Sequence, residues 1–205
     1  MNVYARLSLV LFLICSVSAA ALAMVNAGTR ARIRANEEYK ERILRGKALA
    51  GEQRGEQVAF DPEPIRIGTR RYYIGQLAGR FAGTAFTAST NEGYSGPIEI
   101  VIAMDETGER IAGIRIKSHS ETPGLGANAT QIKYGEIEPW FLAQFAGLNA
   151  SRVRLKKDDA NGAIDAITAA TITSRAITNC VREEATAFEK VWSELKEKRE
   201  YAHAD

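Results

Sequence analysis

The chain has 205 residues, 45% hydrophobic and 25% charged, with a formal net charge of +2. That length holds one domain and an appendage, the composition is globular rather than disordered, and the near-neutral balance excludes a strongly basic nucleic-acid binder. With two cysteines, two well-separated histidines (His119 and His203) and no HExxH, CxxC or GxxxxGKS/T pattern, disulfide-scaffold, zinc-protease, thioredoxin-like and P-loop readings have no support, and no metal site is expected.

Leu7 to Val25 carries no charge and is bracketed by Arg6 and Arg30. At about 1.5 Å per residue the run covers about 28 Å, close to the roughly 30 Å hydrocarbon core of a bilayer. The small residues from Ala19 to Ala23 would suit a signal-peptide cleavage region, but the run exceeds the usual apolar core of a signal sequence. Residues 1–28 are therefore expected to be a retained transmembrane anchor. Cys15 follows Leu13-Ile14 rather than a small residue, so it reads as a packing or lipid-facing side chain and not as a lipoprotein acceptor. The flank after the run carries Arg30, Arg32, Arg34, Lys40, Arg42, Arg45 and Lys47 against Arg6 alone before it. The positive-inside rule by itself would put the rest of the chain in the cytoplasm.

Residues 29–64 read as a charged juxtamembrane helix or linker with a thin apolar stripe, Ile33, Tyr39, Ile43 and Leu44, broken at Asp61-Pro-Glu-Pro64. Residues 65–198 read as one α+β domain, an antiparallel sheet with flanking helices. Strand-like runs cover Arg71–Leu77, Arg80–Ala88, Pro97–Met104 and Arg110–Ser118. The last two flank the turn Asp105-Glu-Thr-Gly108 and form a hairpin. Trp140–Phe145 is a short helix candidate and Val153–Leu155 a strand candidate. Ile177, Val181, Phe188, Trp192 and Leu195 recur at helical spacing and define a long final helix, with Thr173 or Ser174 as its natural N-cap. Residues 199–205 form a polar tail expected to fray. Trp140, Trp192 and Cys180 read as core, and His119 as a strand-end histidine.

Two motifs carry chemistry. Asp165-Ala-Ile-Thr168-Ala169-Ala170-Thr171-Ile-Thr173-Ser174 places hydroxyls and small residues at the start of the final helix. Helix N-termini expose unpaired N–H groups and partial positive charge, which favours phosphate. Ser120-Glu121-Thr122-Pro123-Gly124-Leu125-Gly126 is a stiff exposed loop, with a leucine between two glycines suited to lying against a flat ring.

Asp165 with Thr168-Ala-Ala-Thr171 resembles the Asp-x-x-Ser/Thr-Gly-Ala-Thr flavinylation signature. Glu121-Thr-Pro-Gly-Leu-Gly126 resembles the second signature of the same FMN-binding domain, and Asn91-Glu-Gly-Tyr94-Ser-Gly96 is similar to that family as well. Together with one N-terminal membrane helix, these motifs resemble the G subunit of the Rnf (Rsx) ion-translocating electron-transport complex. The C subunit of the sodium-pumping NADH:quinone reductase is a relative, but the short span between the two motifs favours the Rnf protein. Ala169 stands where the family has glycine, a change to be tolerated unless that position has positive φ.

The resemblance implies FMN joined through its phosphate to Thr171 by a separate flavin transferase. It also implies ring contacts from Glu121, Thr122, Leu125 and Gly126. Asp165, Thr168, Ala169 and Ala170 would shape the attachment loop, and Thr173 and Ser174 would bond the phosphate; no residue is catalytic on its own. It further implies an electron relay in a complex that couples ferredoxin and NAD to sodium or proton movement, with the other Rnf subunits as partners and no nucleic acid. The family places the flavin domain on the extracytoplasmic side of the cytoplasmic membrane, against the positive-inside count. A membrane-anchored flavoprotein outside Rnf and a non-redox scaffold are the alternative readings.

Overall fold

In the computed structural model, which describes residues 2–202, the chain divides into two compact units, one running to Lys40 and the other from Glu41. His203 and the end of the expected polar tail lie outside the described residues. Helix α1 spans Val3–Arg54. Up to Lys40 its apolar side chains, Leu7, Leu11, Phe12 and Ile14 among them, stand uncovered. Among the described residues it is the helix long and apolar enough to cross a membrane, and in lipid such a surface needs no protein cover.

The second unit is built on a sheet. Its strands are β1 (Ala59–Phe60), β2 (Ile65–Ile67), β3 (Arg70–Leu77), β4 (Arg80–Thr90), β5 (Ile98–Met104) and β6 (Ile111–His119). The order is β1-β3-β4-β5-β6, all antiparallel, with β2 also pairing β3. The hairpin expected across Asp105–Gly108 is β5–β6: Asp105 Oδ1 accepts the Thr107 hydroxyl at 2.7 Å, and Gly108 takes φ 75°. β1 and β2 are too short to show a period, and the sequence alone did not reveal them.

β5 is buried on both faces, which is why its sequence is an almost unbroken apolar run. Ile98, Ile100, Ile102 and Met104 join the main core. Val101 and Ala103 point the other way, where Leu44, Ala48 and Leu49 of α1 cover them. Gly113 makes that close cover possible, since a Cβ there would sit 2.6 Å from the Ala48 carbonyl oxygen. The helical path of α1 breaks at Gly51 (φ 79°, ψ 173°), earlier than the prolines that the sequence pointed to. The Glu52 N–H released there donates to Glu138 Oε1 at 3.2 Å, and Arg115, 4% exposed, is held by Glu52 and Glu138.

Helices α2 (Trp140–Ala143) and α3 (Thr171–Ala202) cover the main core face. Phe86 and Phe188 stack at 5.5 Å with Tyr72 edge-on to both; full burial of such rings contributes about 1.5–3 kcal/mol each. α3 runs on past the expected frayed end. Lys198 bonds the Arg66 carbonyl at 3.4 Å and Arg199 lies 4.0 Å over the Phe81 ring, so the sheet holds that last stretch. Val153–Leu155 is not a strand: a 3-10 turn spans Ala150–Arg152, and Leu155 makes one isolated parallel bridge to Ile164. The chain turns back at once, with the Asp158 and Asp159 N–H groups both donating to the Leu155 carbonyl at 3.0 Å, so the pairing stops at that bridge.

Candidate functional site

α3 begins at Thr171, ahead of the expected cap at Thr173 or Ser174. Ser174 serves the turn differently. Its hydroxyl donates to the Ala170 carbonyl at 2.9 Å and accepts from the Ile167 N–H at 2.9 Å, folding the preceding loop back on the helix. That loop needs a left-handed residue, and Ala169 supplies it at φ 60°. The position where the related signature has glycine is therefore one where alanine is strained, as a Cβ clashes with the following carbonyl oxygen in that region.

A cavity of about 380 Å³ opens beside this helix start. Its walls are Tyr94, Glu121, Thr122, Leu125, Gly126, Ala169, Ala170, Thr171, Ile172 and Thr173. The fold thus brings the two signature loops together across the intervening segment 127–164, which local sequence cannot do. Asp165, Thr168 and Ser174 stay off the wall. Asp165 is pinned outside: its N–H donates to Gln144 Oε1 at 2.7 Å, its carbonyl accepts from Gln144 Nε2 at 3.3 Å, and its carboxylate pairs with Lys156 Nζ at 2.6 Å. Thr168 is exposed and Ser174 fully buried.

Glu121, 6% exposed, is the polar centre of the site. Its Oε2 accepts the Thr173 hydroxyl at 2.6 Å, its Oε1 accepts the Ser95 N–H at 3.0 Å, and its own N–H donates to His119 Nδ1 at 3.1 Å. A Cβ on Gly126 would collide with Glu121 and Thr173, and one on Gly93 would sit 2.8 Å from Oε1. Glycine at both positions lets the chain close around the carboxylate. Both hydroxyls expected to bond a phosphate are thus engaged with protein groups. What the helix start offers an anion is its first backbone N–H groups, which have no intrahelical acceptor.

Behind the helix start, Arg175 grips Asp158 with two hydrogen bonds of 2.7 Å. The Arg175 hydrogen bonds hold the Asp158 carboxyl below its usual range, against some cost of desolvation, and Asp158 in turn raises Arg175. On the 121–126 loop, the Leu125 and Ala127 N–H groups both donate to the Thr122 carbonyl, at 3.1 and 3.3 Å, and leave Leu125 39% exposed at the rim. The dimensions suit a flat organic ligand: the volume lies in the range of small-molecule sites, and the lining is apolar with a few placed polar groups. FMN fits such a lining in kind: the N–H groups of the helix start suit an anion, and Leu125 and Ile172 offer apolar surface beside them.

Residues 93–185 match the FMN-binding domain family, a span that contains every residue of the cavity wall. Over 174 residues the chain is 35% identical to the G subunit of the ion-translocating oxidoreductase complex of Stutzerimonas stutzeri, covering 83% of this chain and 74% of that one. It is 30% identical over 199 residues to the G subunit of the sodium-translocating ferredoxin:NAD oxidoreductase complex of Acetobacterium woodii, covering 91% and 92%. The chain belongs to the family of G subunits of ion-translocating oxidoreductase complexes. A crystal structure of the C subunit of the sodium-translocating NADH-quinone reductase from Parabacteroides distasonis shares the fold, with a TM-score of 0.56 over 75% of this chain and 92% of that one at 17% identity. Within the G-subunit family the α+β domain behind an N-terminal apolar helix is as the sequence led us to expect. The sequence motifs did not single out Tyr94 and Ile172 as site residues. Tyr94 lies in a motif that stood out only for its resemblance, and Ile172 alternates with threonines whose hydroxyls carry the stronger chemical signal.

Proposed function

We propose that this chain is the FMN-carrying electron-relay subunit of a membrane complex that couples electron transfer between ferredoxin and NAD to sodium or proton translocation. The flavin is joined to the Thr171 hydroxyl through its phosphate. The observation that carries this reading is the placement of Thr171: first residue of α3, on the wall of a cavity built from both signature loops. FMN, when bound, supplies the one- and two-electron chemistry, and the protein supplies position and electrostatics. The half-buried Thr171 is reachable by a separate flavin transferase, and the helix N-terminus favours the negatively charged phosphoester that results. Leu125, Ile172 and Thr122 offer the ring surface, and Glu121 fixes the loops around it. Asp165, bonded to Gln144 and Lys156 outside the cavity, shapes the attachment loop together with Thr168. The domain sits on the extracytoplasmic side of the cytoplasmic membrane, anchored by residues 1–28 and in contact with the other proteins of the complex. Long domains translocate largely regardless of charge, so the positive flank does not oppose this.

Intact-mass measurement of the purified chain, coexpressed with its transferase, should find one FMN added less water, and a denaturing gel should retain flavin fluorescence. Thr171→Ala should lose both signals. A Thr171→Ala chain that keeps the flavin while Thr173→Ala loses it would move the attachment site and end this assignment.

A further inference from the structure

Among the described residues lining the cavity, Tyr94 is the one aromatic side chain. The two tryptophans lie elsewhere: Trp140 packs edge-on to Phe141 under Lys133, and Trp192 packs on Phe188 and Phe81. Tyr94 is 68% exposed, an unusual state for a large ring in a folded domain. Its backbone, by contrast, is held. The next residue, Ser95, donates its N–H to Glu121 Oε1 at 3.0 Å, and the same carboxylate takes the Thr173 hydroxyl at 2.6 Å, two residues from Thr171. One buried side chain therefore ties the loop carrying the exposed ring to the helix turn carrying the attachment hydroxyl. An exposed ring on a fixed backbone at a cavity mouth has the form of a surface awaiting a flat partner, because aromatic pairs gain from offset stacking beyond their buried area.

We infer that Tyr94 is the stacking partner of the isoalloxazine ring, and that Glu121 is the positioning residue that holds Tyr94 in register with the attachment point. This rests on the flavin reading above and deepens it. Glu121 acts on Tyr94 through the Ser95 amide, so its removal releases the Tyr94 loop while the Thr171 hydroxyl itself is retained.

The test is the excited-state lifetime of the flavin on the full-length holoprotein in detergent, since a tyrosine or tryptophan stacked on a flavin shortens it strongly. The wild-type lifetime should be short and should lengthen severalfold when guanidinium unfolds the protein with the flavin still tethered. Tyr94→Leu, at an exposed position, should lengthen the native lifetime toward the unfolded value, and Tyr94→Trp should restore quenching. Glu121→Ala should lengthen it too, with no further effect in the Tyr94→Leu background, because residues acting as a unit are non-additive. Glu121→Gln, which still accepts from Ser95, should stay near wild type. Should Glu121→Ala fail to fold, Ser95→Pro removes the amide donor at an exposed site and should lengthen the lifetime instead. A Tyr94→Leu protein with attached flavin and an unchanged native lifetime overturns the stacking assignment. Unchanged lifetimes in folded Glu121→Ala or in Ser95→Pro overturn the positioning role. A wild-type chain that takes up no covalent flavin overturns the reading on which both depend.

Discussion

Ala169 is the residue at which the related signature has glycine and this chain does not, and the fold places it at φ 60°. A left-handed conformation costs a residue with a Cβ about 1–2 kcal/mol. Ala169→Gly removes that strain but loosens the unfolded chain, which costs about 0.4–1 kcal/mol in return. The difference predicts a net gain of up to about 1.6 kcal/mol. At this chain length that is a rise in melting temperature of up to about 6 °C, read from the cooperative unfolding of the flavin domain. Ala169→Val adds a branch at Cβ and should lower stability by about 1–3 kcal/mol, since β-branched residues are genuine outliers at positive φ. Ala169 also lies on the cavity wall next to Thr171. Flavin loading should therefore rise or hold with glycine and fall with valine. Calorimetry on the three proteins decides the matter: a glycine variant less stable than the parent, or a valine variant equal to it, would refute the left-handed turn at this position and the loop geometry that depends on it.

Three further outcomes are expected. Asp158 is held below the usual carboxyl range by the Arg175 hydrogen bonds, so its contribution is present above the unfolded carboxyl pKa and is lost as pH falls through the lower folded value. Asp158→Asn should flatten that part of the acid-unfolding profile, and a profile unchanged by the substitution would remove the pair from the stability account. Cys180 is 7% exposed and burial, aided by the Glu183 charge, pushes its thiol up to about 11. In a Cys15→Ser protein, a maleimide at neutral pH should therefore leave the native chain unlabelled and modify it on unfolding, and rapid native labelling would contradict the packing of α3. Finally, N-terminal sequencing of the protein purified from membranes should find residues before Ala19. A mature start near Met24 would identify Leu7–Val25 as a cleaved signal.

The elements legible in the sequence are those whose physics is local. The uncharged run from Leu7, the period-2 alternation of β6 and the helical stripe of α3 each repeat one pattern long enough to be read without a partner. The two signature loops were legible as motifs, and with them the family and most of the cavity wall. What tertiary structure decided is what depends on partners far away in the chain. β1 and β2 exist because β3 offers them an edge. The last stretch of α3 is held because Arg66 and Phe81 lie beneath it. Ser174 is a bracket for the Ile167–Ala170 turn instead of a cap. Glu121 reads in sequence as a charge beside a ring, yet the fold surrounds it with the Ser95 amide and the Thr173 hydroxyl and makes it a clamp. Tyr94 became the aromatic residue of the site only when that clamp brought its loop to the helix start, because a hydrogen bond between residues so distant in sequence leaves no periodic trace in either segment.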